Sequence, residues 1–215
     1  MAPRLKALRA AWKALRAKFC DFAAYSTATA AVEFALVLPV MLTAYLGSVE
    51  VGGGVTADRK LSNLSLTLAN LTARASGAQK DTDLNSIFNA SASVLVPYDY
   101  TQVGMVVTSI VFDNANPPNA FAVWSTTSGP GVTAMVTDCK TKLDTTVVPT
   151  SIRTANGSVI LAQAKYPYKP VIGYVITGTI TLSESNFMVP RNLSAVPRTD
   201  STGTTHTSCS NGNFV

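Results

Sequence analysis

Apolar and polar positions divide the chain into three zones. Leu5, Leu8, Trp12, Leu15 and Phe19 recur at steps of three and four, with basic residues mainly on the opposite face, which predicts an amphipathic helix over residues 4–19. From Phe22 to Val49 the pattern is almost wholly apolar, and the one charge is Glu33. A helix of that length reaches roughly 40 Å, more than the ~30 Å hydrocarbon core of a bilayer. Gly52, Gly53 and Gly54 follow. Each costs a helix up to about 1 kcal/mol relative to alanine, so a bend or a melted joint is expected there. Helical spacing then resumes with Leu61, Leu64, Leu68, Leu71 and Ala75, and Gly77 predicts the stop.

Beyond Gly77 the pattern changes. "TDLNSIF" predicts a short helix capped by Thr82 or Asp83. Val/Thr/Tyr-rich runs at 102–113, 120–127 and 158–168 predict strands, with "NANPPN" and "ANG" as turns. Residues 174–182 and 185–189 predict one or two more. From Pro190 the chain is rich in Ser, Thr, Asn and Gly, and loss of regular structure is expected. The sum is an α+β chain, a membrane helix continuing into an amphipathic helix that packs on a small antiparallel sheet. Its expected segments are a basic leader (1–22), a transmembrane helix (23–51), an amphipathic helix after a glycine joint (52–77), an α+β domain (78–190) and a polar tail (191–215).

Charge sharpens the topology. The chain has 215 residues and a formal net charge of +5. Arg4, Lys6, Arg9, Lys13, Arg16 and Lys18 precede Phe22 against Asp21 alone, so the whole excess lies in the leader and the rest is neutral. A basic terminus before an apolar span is a topology signal, not a phosphate-binding groove, and nucleic-acid binding is not expected. It places the N-terminus in the cytoplasm and residues beyond about Val51 outside. A cleaved secretory signal is the rival reading, but its basic region is long and Glu33 interrupts its apolar core. Cys20 then lies on the cytoplasmic side, with Cys139 and Cys209 outside. These two either bridge, closing a loop of about 70 residues worth roughly 4 kcal/mol on chain-entropy grounds, or remain free thiols.

Candidate chemistry is sparse. The lone histidine, His206, lies in the polar tail three residues from Cys209, a poor setting for a positioned imidazole. One histidine and two external cysteines do not make a zinc tetrad. "DTDLN" opens like a calcium loop but lacks the glycine and the closing glutamate such a loop needs. No catalytic residue, metal site or cofactor is expected. Five N-x-S/T sequons (Asn63, Asn70, Asn89, Asn156, Asn192) carry no assigned role in so Ser/Thr-rich a chain.

The segment "AVEFALVLP", Ala31 to Pro39, followed by Glu50 and Gly52, resembles the opening of the membrane helix in the TadE/TadG-like family of bacterial tight-adherence (Flp-type) pilus proteins. Weaker echoes follow in order: Tyr166, Tyr168 and Pro170, then Met188, Pro190 and Arg191. The resemblance implies a pilin-like fold and a non-catalytic minor pilin or pseudopilin, anchored in the inner membrane with its C-terminal domain in the periplasm. Its implied partners are other pilins, an inner-membrane assembly platform, membrane lipid and a prepilin peptidase. It also implies that Glu33, at mature position five, pairs with the freed amine of a neighbouring subunit, the peptidase cutting between Ala28 and Thr29. Pilin-type sites carry glycine before the cut, and Ala28 departs from that pattern. Pro39 removes a backbone hydrogen bond and predicts a kink. The alternative is a single-pass anchored periplasmic binding module unrelated to pili.

Overall fold

A computed structural model describes Lys13 and residues 26–170, 172–173, 177–210 and 213–214. Apart from Lys13, the predicted leader helix over 4–19 lies outside the described residues, as do positions 174–176 of a predicted strand. The chain divides into two compact units, one of residues 1–51 and 172–176, the other of residues 52–171 and 177–215.

Helix α1 runs from Ser26 to Ala73 without a break, 48 residues with Pro39 inside it. The expected joint at Gly52–Gly54 is therefore not melted. Packing explains the difference: Gly53 and Gly54 lie against Tyr168, and the Tyr98 hydroxyl donates to the Gly53 carbonyl at 3.2 Å. Such tertiary contacts outweigh a local propensity cost of about 1 kcal/mol per glycine. The boundary between the two units nevertheless falls at Val51/Gly52. After the glycines the helix turns one stripe inward: Ala57, Leu61, Leu64, Leu68 and Thr72 are fully buried. That three-and-four spacing is the amphipathic pattern expected of a helix covering a sheet.

The helix stops at Ala73, one turn short of Gly77. Its final carbonyls are capped from outside: the Arg191 amide donates to Ala73 O and the Asn192 side chain to Arg74 O, both at 2.9 Å. A helix end left with open carbonyls needs such donors. Helix α2, Asp81–Ala92, follows; the Asp83 carboxylate accepts the Lys80 amide at 3.1 Å and so caps its first turn.

Four strands form one antiparallel sheet: β1 (Gly104–Phe112), β2 (Ala120–Ser128), β3 (Ser158–Tyr168) and β4 (Ile180–Met188), in the order β2-β1-β3-β4. The two segments expected around Ser183–Ser185 are one strand. β4 is an edge strand with alternate positions open to water, so its polar residues do not interrupt it. In β2 a bulge between the pairs Ser109–Trp124 and Ile110–Ala122 leaves Val123 as the extra residue, and both Val123 and Trp124 are buried.

β1 is buried along its whole length, so both sheet faces are covered. On one face Met105, Val107, Ile160, Ala162 and Ala164 join the buried stripe of α1 and Leu84 and Phe88 of α2. On the other, Ile110, Phe112, Val159 and Leu161 pack with Val148, Leu143, Val147 and Ile152 from the long β2–β3 connection. Arg153 ties that connection down, its guanidinium donating to the carbonyls of Pro118, Leu143 and Val148.

The tail also departs from expectation. Ala195 and Val196 are buried, Trp124 Nε1 donates to Val196 O at 2.7 Å, and Gln79 exchanges backbone bonds with Pro197 and Thr199. Two short ladders follow, β5 (Arg198–Thr199) with β6 (Thr205–His206) and β7 (Cys209–Ser210) with β8 (Asn213–Phe214). A buried indole needs an acceptor for its N–H, and the tail supplies it.

Candidate assembly helix and its tyrosine seat

The inner part of α1 is built for an apolar surrounding. Every residue from Thr29 to Tyr45 is exposed, among them Phe34 at 61%, Leu36 at 72% and Val40 at 70%. A run of bare hydrocarbon this long on a soluble helix would be unstable in water, and the helix is long and apolar enough to cross a membrane. Glu33 stands exposed within it. Positions 33, 37, 40 and 44 share one helical face by their three-and-four spacing. That face places Glu33 in line with a shallow groove lined by Pro39, Val40, Thr43 and Ala44. Pro39 offers no N–H to the turn before it, and the Thr43 hydroxyl donates to Pro39 O at 2.8 Å. Ala28 and Thr29 fall near the start of the helix.

The outer part of α1 is seated in the second unit. A Cβ added at Gly53 would stand 2.7 Å from the Tyr168 hydroxyl, and one at Gly54 3.6 Å from its ring. Tyr98 packs edge-on against Tyr166 and Tyr168, with ring centroids 6.3 and 6.2 Å away. Burial, together with the nearby Asp99 charge, pushes the Tyr166 phenol above its ordinary value, so it stays neutral. Further along, the Asn186 side chain of β4 donates to the Ser65 hydroxyl at 2.6 Å. The glycines contact Tyr168, and Arg191 closes the far end of the helix. Glu50 is buried, at 3% exposure.

Tyr98, Asn186 and Trp124 were not singled out from the sequence. Tyr98 sits in "VPYDY", whose spacing carries no signal for a contact 45 residues away.

The remaining candidates are structural. Cys139 and Cys209 are joined as a disulfide, with Cα atoms 5.4 Å apart. Cys209 is therefore not a thiol nucleophile for His206, which is half-buried and lies 3.3 Å from Asp200. Asp200 is held well below the carboxylate range, first by the Thr202 hydroxyl and then by amides of Thr204 and Thr202 and by His206. Asp138, beside the disulfide, is lowered to about 2 by the Thr141 amide and hydroxyl and the Lys140 amide. Among the described residues no three His, Cys, Asp or Glu side chains gather as a metal site.

These features define a class: an α+β protein in which the long helix α1 is bare and apolar over its first part and past Gly52 packs on a four-stranded sheet. Residues 28–69 match the family model of TadE-like proteins. The match covers the bare segment, the glycines and most of the buried stripe, and stops before the sheet. No curated protein and no solved structure matches the chain.

Proposed function

We propose that this chain is a non-catalytic structural component of a bacterial tight-adherence pilus, a minor pilin or pseudopilin that packs through α1. The observation that carries the reading is the TadE-like match over residues 28–69, which falls on a helix whose first half is exposed hydrocarbon bearing one acid. The basic leader is cytoplasmic, α1 crosses the inner membrane, and the disulfide-bonded domain is periplasmic, where such bonds persist. Glu33 is the assembly residue. A carboxylate inside the hydrocarbon core is costly, by roughly 2.5–3.5 kcal/mol on insertion scales at the centre and less for Glu33 about one turn in, and the freed amine of a neighbouring subunit offsets that cost. Prepilin peptidase releases that amine by cutting between Ala28 and Thr29, and Pro39 bends the helix for close packing. Partners are other pilins of the system and its inner-membrane platform.

Photo-crosslinking in the native host tests the reading. A benzoyl-phenylalanine at Val37 or Val40, on the Glu33 face, is expected to capture a second pilin-like chain. A label at Leu66, exposed on the outer half of α1, is the comparison. Capture of lipid alone from Val37 and Val40 would overturn the packing role. Intact mass from the same cells reports processing: a chain starting at Thr29 is expected, and one starting at Met1 removes the peptidase from the account.

A further inference from the structure

The tail beyond Val196 is held at points of different kind. Val196 is fully buried, and its carbonyl accepts the Trp124 indole at 2.7 Å. Arg198 then pairs with Asp81 at 2.8 Å, where the Asp81 carboxylate is half exposed, a setting in which an ion pair contributes little. β5 and β6 ladder with each other as a separate two-stranded sheet. Their hairpin is built on itself: the Asp200 carboxylate accepts the amides of Thr202 and Thr204, and the Thr199 and Thr205 hydroxyls meet at 2.9 Å. A two-stranded hairpin this short is marginal by itself. Its far side is fixed by Cys209, joined to Cys139.

The two cysteines are not equivalent. Cys139 is buried and has a left-handed backbone (φ 53°), in a turn that Asp138 holds by accepting the Lys140 and Thr141 amides. Cys209 is half-buried on the hairpin side. The bridge therefore ties a weakly held segment to a fixed one. Both segments converge on β2, an edge strand of the four-stranded sheet. From the β2–β3 connection the Met135 amide donates to Ser125 Oγ at 3.0 Å and the Leu143 amide to Ala120 O at 2.8 Å. From the tail, Arg198 reaches Ser125 O at 3.5 Å. An uncovered edge strand presents unpaired backbone groups to other chains, and these bonds cover it.

We propose that the Cys139–Cys209 bridge is a redox latch that closes residues 198–209 over the outer edge of β2. A dithiol reductant opens it by exchange. One reductant thiolate attacks Cys209 Sγ, and Cys139 leaves and takes up a proton. The second reductant thiol then resolves the mixed disulfide, so the reductant departs as a disulfide and both cysteines are thiols. A disulfide oxidant closes the latch by the reverse steps. The open chain keeps its sheet and the buried Val196 but bares the edge at Ser125. The inference rests on contacts within the disulfide-bonded domain and is independent of the pilus reading.

The test uses the full chain with Cys20→Ser in detergent, with and without dithiothreitol, followed by hydrogen exchange and mass spectrometry. Reduction is expected to speed exchange on the order of tenfold or more in peptides spanning 198–209 and 120–128, with peptides of β1 and β3 unchanged. Cys209→Ser is expected to match the reduced chain without reductant. Tryptic cleavage after Arg198 is expected to rise under both conditions. Exchange that rises equally through β1 and β3 means that the bridge holds the whole domain, and overturns the latch. Unchanged exchange at 198–209 in a chain whose two thiols are titrated as free overturns it as well. Faster exchange at 198–209 without any at 120–128 overturns the closure of β2.

Discussion

Replacing Gly53 with alanine separates two accounts of the glycine run. If the glycines serve as a hinge, alanine stiffens the helix and stabilises it at all three positions. In this structure the three differ. A Cβ at Gly52 meets nothing within 4 Å, one at Gly54 makes ordinary contact at 3.6 Å, and one at Gly53 comes within 2.7 Å of the Tyr168 hydroxyl. Alanine gains about 1 kcal/mol of helix propensity over glycine. Overpacking a filled site costs about 1–3 kcal/mol. Gly52→Ala is therefore expected to stabilise by up to about 1 kcal/mol, and Gly53→Ala to destabilise by about 0–2 kcal/mol. Tyr168→Phe removes the offending oxygen, and the next ring atom stands 3.9 Å away. In that background Gly53→Ala turns favourable, giving a coupling of about 1–3 kcal/mol in a double-mutant cycle. Denaturant unfolding of the full chain in detergent, followed by the buried Trp124, reads these differences. Equal effects of alanine at Gly52 and Gly53, unchanged by Tyr168→Phe, would refute the seat.

Two further predictions concern the outer domain. Replacing both Cys139 and Cys209 with serine frees a closed loop of 70 residues and is expected to cost about 4 kcal/mol on chain-entropy grounds; a denaturation midpoint unchanged from wild type contradicts that role. Asp138 is depressed in the folded chain, so its contribution is present above its ordinary value of 3.8 and fades as pH falls toward about 2. Asp138→Asn is expected to flatten the fall of stability with acid in that window; an unchanged acid limb rejects the assignment.

The legible parts of this protein were those with a local period. The inner apolar run of α1, the stripe of Leu61, Leu64 and Leu68, and strands β1 to β3 all announce themselves within a few residues, because burial of one face imposes spacing. The continuous helix at Gly52–Gly54 was not legible, since what holds it is Tyr98 and Tyr168 from far along the chain. The β2–β3 connection has no period, and its inward residues Leu143, Val147 and Val148 look like any loop. The tail reads as polar because its hold on the domain is mainly through backbone groups: Val196 O for Trp124, Pro197 O and Thr199 N for Gln79. Glu33 was legible as an anomaly, an acid in hydrocarbon, and the family match over residues 28–69 falls on it.

The central claim is that α1 is an assembly helix of a tight-adherence pilus, and counting surface pili tests it most directly. A host strain lacking this chain is complemented with wild type or Glu33→Ala at matched membrane levels. Wild type is expected to restore pili, whereas Glu33→Ala inserts in the membrane and leaves the cells bare. Wild-type piliation by the Glu33→Ala chain would contradict the role of Glu33, and normal pili in the uncomplemented strain would contradict the account as a whole.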